Sequence, residues 1–237
     1  MSRILNIETA TSVCSVSISE NGALIAMKES SSAYSHAELL SSFVQDIIHE
    51  AGLKLKDLDA IAVSMGPGSY TGLRIGVSSA KGLCYALEKP LIAVSTLQSM
   101  ALGMTELIAG SEHAKNDKAL FCPMIDARRM EVYASLFDVR NQEVRKIQAD
   151  IIDADSYLEY LDAGVVYFAG DGAEKCMEIL GVSKNAKYID EFVISSKDMI
   201  QISTAKFAAK DFADLAYFEP FYLKDFIAGK PSVKGLR

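Results

Sequence analysis

The chain has 237 residues, 50% hydrophobic and 23% charged, which excludes a disordered tail and a disulfide-stapled mini-protein and leaves room for two modest domains. Lys and Arg number 24 against 31 Asp and Glu, a formal charge of -7, so the chain lacks the broad positive field that holds phosphate backbones unaided, and any nucleic acid is held locally or by a partner. Cys14, Cys84, Cys122 and Cys176 form no C-x-x-C pair, which removes the commonest zinc and dithiol signatures and reads as reduced, mostly buried thiols of a cytoplasmic protein.

Asn6 and Glu8 interrupt any apolar stretch long enough for a signal-peptide core, and no segment approaches the roughly 18 to 20 apolar residues that cross a bilayer. The expectation is a soluble cytosolic protein with no membrane contact. The first predicted elements are strands at 4–8, 12–19 and 23–29, with Glu20-Asn21-Gly22 as the turn that sends the chain back antiparallel. A long amphipathic helix follows, capped by Ser35 with Glu38 as its capping-box partner. Its apolar residues Leu39, Leu40, Phe43, Val44, Ile47, Ile48 and Ala51 form a double-width stripe, one edge suited to a sheet and the other to a second helix. His36 reads as a first-turn residue, and with His49 and His113 it fits no local metal-binding pair.

A buried-type strand at 58–64 leads into Gly66-Pro67-Gly68, a tight turn, then a helix at about 69–87, a short strand at 91–94 and a helix at about 97–108. The polar stretch 109–117 is the expected junction, giving a first domain over 1–110. The second half begins again with strands at 119–125 and 130–138, joined by Asp126-Ala127-Arg128-Arg129. A strand at 144–149, a helix at 154–162, a strand at 165–169, the turn Gly170-Asp171-Gly172 and a further helix follow. This order loosely repeats the first half, as a shrunken duplicate would, and sets a reduced second domain over 111–202. A last helix at about 203–215 and the tail to 237, with Lys224, Lys230, Lys234 and Arg237, are expected to pack back on the first domain or to end as a solvated tail, with contact to RNA as the alternative.

The densest signal is Gly66-Pro67-Gly68-Ser69-Tyr70-Thr71-Gly72-Leu73-Arg74-Ile75-Gly76 between a strand and a helix. A glycine turn at a helix start lets backbone N–H groups converge on a phosphate. The run is nevertheless neither a dinucleotide fingerprint, since Thr71 stands where glycine is needed, nor a P-loop. Gly66, Gly68, Gly170, Asp171 and Gly172 are therefore candidate nucleotide contacts, with purely structural turns as the alternative. Gly72, Gly76 and Ala80 recur every four residues and leave one helix face almost bare. Interior glycines cost about 1 kcal/mol each relative to Ala, so a close neighbour is expected to compensate. Packing within the chain and a surface completed by another subunit both remain open.

Asp126, Arg128 and Arg129 read as a solvated turn or as an interdomain or RNA contact, with Glu131 and Tyr133 finishing its hydrogen bonds. Asp171 suits a tight turn for backbone reasons alone. Arg74 points off the glycine face and is available to an acidic group on a partner.

The run VSMGPGSYTGLRIGVSSAKGLCYALEKPLIAVSTLQSMA resembles the signature of the TsaB (YeaZ) family, and so do ILNIETATSVCSVSI, SHAELL, MIDARRMEVYASLF, AGDG and EPFYLKDF. The resemblance covers nearly the whole chain. It implies an α/β fold of the actin-like ATPase superfamily, two RNase H-like domains with mixed sheets, the second reduced. It also implies a part in forming threonylcarbamoyladenosine at position 37 of tRNA. The catalytic TsaD paralogue carries H-x-x-x-H for a metal that anchors nucleotide phosphates. The matching positions here are Thr96 and Met100, neither of which supplies an imidazole. Glu8 stands where actin-like ATPases usually place a phosphate-loop aspartate, and Asp171 where the superfamily grips adenosine.

The resemblance thus implies a non-catalytic partner of a TsaD-type enzyme, with a TsaE-type ATPase as third subunit. tRNA and ATP or ADP are handled by the complex, and the isolated chain takes no cofactor, metal or catalytic role and forms homodimers. The expected interface is Leu39, Phe43, Val44 and Ile47 on the first helix with Gly72, Arg74, Ile75, Gly76, Ser79 and Ala80 on the second. A bulky residue at Gly76 is expected to block the complex and spare the fold. The alternative is an active ATPase or small-molecule kinase with two phosphate and adenosine clamps.

Overall fold

The computed structural model describes residues 2–31, 36–109 and 117–223 and contains two five-stranded mixed sheets. The first is built from β1 (Arg3–Glu8), β2 (Cys14–Glu20), β3 (Ala23–Ser30), β4 (Ala60–Gly66) and β5 (Leu91–Ser95), in the order β3-β2-β1-β4-β5. The second is built from β6 (Leu120–Asp126), β7 (Glu131–Phe137), β8 (Glu143–Ile151), β9 (Val166–Ala169) and β10 (Ala186–Tyr188), in the order β8-β7-β6-β9-β10. In each, three antiparallel strands hand over at the central strand to two parallel ones. The second half thus repeats the first strand for strand, the arrangement expected of two RNase H-like sheets in an actin-like fold.

On one face of the first sheet, α1 (His36–Glu50) and α2 (Tyr70–Leu87) bury Phe43, Val44, Ile47, Val77 and Ala80 against Leu5, Ile7, Val16, Ile61 and Val63. The alternate residues Ile4, Ala60, Ala62, Ile92 and Val94 face the other way, onto Met199 and the side chains of α6 (Ile200–Ala209). Ser15, Ser17 and Ser19, the polar half of the β2 alternation, are fully buried as well. Ser15 Oγ donates to Ser196 Oγ at 2.9 Å, and the Ser196 amide donates back to Ser15 Oγ at 3.0 Å, so the returning C-terminal part of the chain covers a face that its polarity alone assigns to solvent.

Between the sheets, α3 (Thr96–Ile108) places Leu97, Met100, Ala101 and Met104 against Phe121, Ile125, Phe137 and Tyr167 of the second sheet. The short helices α4 (Leu158–Ala163) and α5 (Met177–Leu180) lie on its other face. The last helix ends at Ala209 rather than near 215, because Lys210 turns left-handed (φ 55°) and Ala213 then pairs with Leu91. β10 is an addition to the predicted strands. The proposed cap Ser35 and the basic tail residues Lys224, Lys230, Lys234 and Arg237 lie outside the described residues, as does most of the expected junction at 109–117.

Candidate functional site

The glycine-rich turn after β4 is filled by the chain itself. Gly66 holds φ 113°, a conformation that excludes most side chains, and a Cβ there would lie 2.6 Å from the carbonyl oxygen of Phe221. Its amide donates to Thr96 Oγ1 at 3.1 Å. A Cβ on Gly68 would overlap the Ala10 carbonyl, one on Gly72 the Thr9 carbonyl, and one on Gly76 the Thr9 hydroxyl. Two donors at the start of α2 are also committed: Ser69 N–H reaches Ala10 O at 2.6 Å, and the Gly72 amide returns to Ser69 Oγ at 3.3 Å. The bare face of α2 therefore receives the backbone leaving β1, not a second helix. Glu8 precedes that contact, fully buried, with Oε1 accepting from Ala10 N–H at 2.5 Å and Ser64 Oγ at 3.0 Å, while Oε2 has no partner. Burial pushes its carboxyl up to about 7, the hydrogen bonds opposing.

The second glycine turn is closed in the same way and joined to the β6–β7 turn. Gly170 (φ 104°) sits against the Met124 carbonyl and Met100 Cε, and Gly172 against the Ile125–Asp126 peptide. Asp126 N–H donates to Asp171 Oδ1 at 3.0 Å, and Lys175, which sequence reasoning passed over, pairs with Asp126 Oδ1 and donates to Glu131 O at 2.7 Å. Backbone groups of Glu131 finish the turn with Ala127 and Arg128. Beside it a cavity of about 410 Å³ opens, lined by Thr11 and Ser12 of the first half and by Gly170, Asp171, Glu174, Asp190 and Glu191 of the second. Among the described residues its lining carries four carboxylates and no Lys or Arg, an electrostatic setting that repels a polyphosphate. Among the described residues no group of three or more His, Cys, Asp or Glu is arranged to hold a metal ion.

The open feature is a groove of about 560 Å³ between α1 and α2, lined by Ala37, Leu40 and Ser41 from one helix and Tyr70, Thr71, Arg74, Ile75, Ser78 and Ser79 from the other. Of the ten expected interface residues, Arg74, Ile75 and Ser79 line it. Phe43, Val44, Ile47, Gly72, Gly76 and Ala80 are instead buried within the chain, and Leu39 is half-buried against the same core. The wide apolar stripe of α1 serves the first sheet; the outward faces are made mostly of small and polar residues, with the exposed Tyr85 near the end of α2 as the exception. Gly82 belongs to that outward side, and a Cβ there would meet nothing within 4 Å. The signal missed in the sequence is the small-residue row Ala37 and Ser41 on one helix with Thr71, Ser78 and Gly82 on the other.

One end of the groove is walled by the C-terminal segment. Arg74 Nε donates to Tyr222 Oη at 3.2 Å and its guanidinium lies 4.1 Å from the Tyr70 ring centroid, while the Tyr70 and Tyr222 rings are 5.2 Å apart. His36, for its part, places Nε2 3.1 Å from the Val13 carbonyl, a structural contact at the start of α1.

Residues 29–228 match the family model described as TsaD, tRNA N6-adenosine threonylcarbamoyltransferase. The chain is 31% identical over 235 residues to the tRNA threonylcarbamoyladenosine biosynthesis protein TsaB of Escherichia coli K12, covering 96% of this chain and 97% of that protein. Over 70 residues, 30% of this chain and 19% of the relative, it is 53% identical to a tRNA N6-adenosine threonylcarbamoyltransferase of a Ruegeria species. Among solved structures, YeaZ from Pseudomonas aeruginosa superposes with a TM-score of 0.80 at 25% identity, covering 94% of this chain and all of that one. No helix among the described residues is long and apolar enough to cross a membrane.

Proposed function

Because the chain belongs to the TsaB family and so takes part in tRNA threonylcarbamoyladenosine synthesis, we propose that its part is to dock a TsaD-type threonylcarbamoyltransferase rather than to catalyse. The observation that carries this reading is a contrast: the glycine turn after β4 is filled by the chain's own backbone and the cavity at the second turn is lined by carboxylates, whereas the groove between α1 and α2 is open and lined by small and polar residues around one arginine. The chain's likeness to the transferase family over 29–228 supplies the occupant. A relative of the same fold offers a corresponding helix pair, so two pairs meet as a four-helix contact, and in its absence two copies of this chain pair through the same face.

In this reading the chain has one full unit, 1–110, and a reduced one, 111–202, with the segment after 203 returning to the first. Docking orders the transferase and completes a site for a TsaE-type ATPase. tRNAs reading ANN codons, and ATP or ADP, are held by the complex. Thr96 and Met100 stand where the resemblance places two metal-binding histidines, and both are occupied otherwise: Thr96 Oγ1 accepts from Gly66 N–H, and Met100 packs on Gly170. Reconstitution tests the reading. Transferase, ATPase and tRNA are expected to yield the modified nucleoside only when this chain is added. Micromolar ATP binding with turnover by the chain alone would overturn it in favour of an active ATPase or kinase.

A further inference from the structure

The C-terminal segment is not a loose end but a strap across α2. Ala213 N–H donates to Leu91 O at 2.9 Å, Lys81 Nζ to the carbonyls of Ala216 and Phe218 at 3.2 and 2.9 Å, and Phe221 N–H to Met65 O at 2.7 Å. These anchors deliver Tyr222 to Tyr70 and Arg74 at the end of the groove.

Arg74 is the single charged residue among the nine described residues that line this groove. Its Nε is held by Tyr222 and its guanidinium lies over the Tyr70 ring, and among the described residues the four N–H donors of the two terminal nitrogens have no hydrogen-bond partner. Glu219 of the strap adds attraction at longer range and makes no ion pair with it. Covering the groove desolvates that guanidinium, and a charge left unpaired under a dry contact is strongly unfavourable, so the covering surface that suits it best brings a carboxylate, the acceptor that matches the fork in both charge and geometry. A guanidinium already fixed in one rotamer gives up less freedom when it forms a bidentate pair than a free one does.

We propose that the strap is part of the docking face, with Tyr222 as a positioning residue that sets Arg74 to grip an Asp or Glu side chain on the partner's helix. The inference rests on the docking reading above and names the chemistry of that contact: a carboxylate-bearing helix of the transferase-type partner, seated on Arg74 beside Tyr70.

The test is a double-mutant cycle on the full chain titrated with the transferase by calorimetry, alongside sedimentation of the chain alone and thermal melts of each variant. Arg74→Gln is expected to weaken association roughly 10- to 100-fold, the scale of a charge-assisted hydrogen-bonded pair. Tyr222→Phe keeps the ring and loses only the hydroxyl. It is expected to weaken association about 2- to 10-fold at unchanged melting temperature, and to add nothing once Arg74 is Gln. Arg74→Lys keeps the charge without the fork and recovers only part of the loss. Wild-type association with Tyr222→Phe, or losses that simply add, overturns the positioning role while leaving the docking reading in place. Losses confined to self-association assign Arg74 to a second copy of the chain and overturn the partner assignment. No association of the wild-type chain with the transferase removes the docking reading itself and this inference with it.

Discussion

Thr9 and Gly72 hold each other from both sides. Thr9 Oγ1 donates to the Gly72 carbonyl at 2.9 Å, and the Thr9 carbonyl occupies the space a Cβ on Gly72 would need. This contact ties the end of β1 to the first turns of α2, and it is what offsets the helix-propensity cost of glycines in that face.

The three glycines of α2 should therefore respond differently to alanine. Gly72→Ala and Gly76→Ala are expected to destabilise by about 1–3 kcal/mol, as overpacking does. Gly82→Ala, with nothing within 4 Å, is expected to stabilise by about 0.5–1 kcal/mol through propensity alone. Because the obstacle at Gly76 is the Thr9 side chain whereas at Gly72 it is backbone, Thr9→Ala should rescue part of the loss from Gly76→Ala and none of that from Gly72→Ala. Urea denaturation of the singles and doubles measures this, and equal rescue at both positions would refute it.

A docking test consequently belongs on the outward face. A bulky residue at Gly76 disturbs the fold before it reaches a partner, so the expectation that such a change spares the fold is withdrawn. Ser78 is exposed on the groove wall. Ser78→Trp is expected to leave urea stability within about 0.5 kcal/mol and to weaken association with the transferase by tenfold or more, the effect of disrupting a contact worth about 1.4 kcal/mol. Wild-type affinity in that variant places the contact elsewhere.

The sequence patterns that depend on neighbours along the chain were readable: hairpins, parallel strands, the glycine motif and the repeat of one half by the other. What escaped was which face of a helix meets what. Phe43, Val44 and Ile47 belong to one stripe whether a sheet or a partner covers them, and only the burial of all three under the first sheet decides it. The glycine face was legible as a place of close approach, but its occupant, Thr9, lies 63 residues before Gly72. Asp126 and Asp171 read as separate turns in the sequence, yet a hydrogen bond across 45 residues makes them one structure. Nothing local to Tyr222 in EPFYLKDF reveals that Lys81 and Met65 hold the strap that carries it.

Stability should fall as pH rises from about 4 toward 7. Burial raises the carboxyls of Glu8 and Asp198 to about 7, each also raised by a neighbouring carboxylate, Asp198 for the first, Glu106 and Glu29 for the second. The unfolded chain releases both protons near the ordinary values of about 4. Between these limits the folded state holds more protons, so the stability contributed by these groups is full below about 4 and is lost progressively through 7. The linked change is on the order of 3 kcal/mol per group. Glu8→Gln is expected to remove roughly half of that slope and to stabilise the chain at pH 8. A pH-independent urea midpoint in the wild-type chain over this window would refute the assignment.

The β6–β7 turn should gain stability when its arginines are removed. Arg128 and Arg129 hold consecutive φ values of 69° and 51°, a conformation that costs an L-residue about 1–2 kcal/mol. The turn is fixed without their side chains: Asp126 Oδ1 accepts from the Arg128 amide at 3.0 Å, Ala127 N–H donates to Glu131 O at 3.0 Å, and Lys175 spans Asp126 and Glu131. Neither guanidinium makes a hydrogen bond or ion pair among the described residues. Arg129→Gly relieves the backbone and adds freedom to the unfolded chain, opposing effects whose balance is a gain of up to about 1 kcal/mol. The turn shares no residue with the α1–α2 groove, so transferase affinity should not move. If the arginines instead grip RNA, the same variant will flatten the salt dependence of tRNA binding by the complex, by close to one phosphate's worth for each arginine removed.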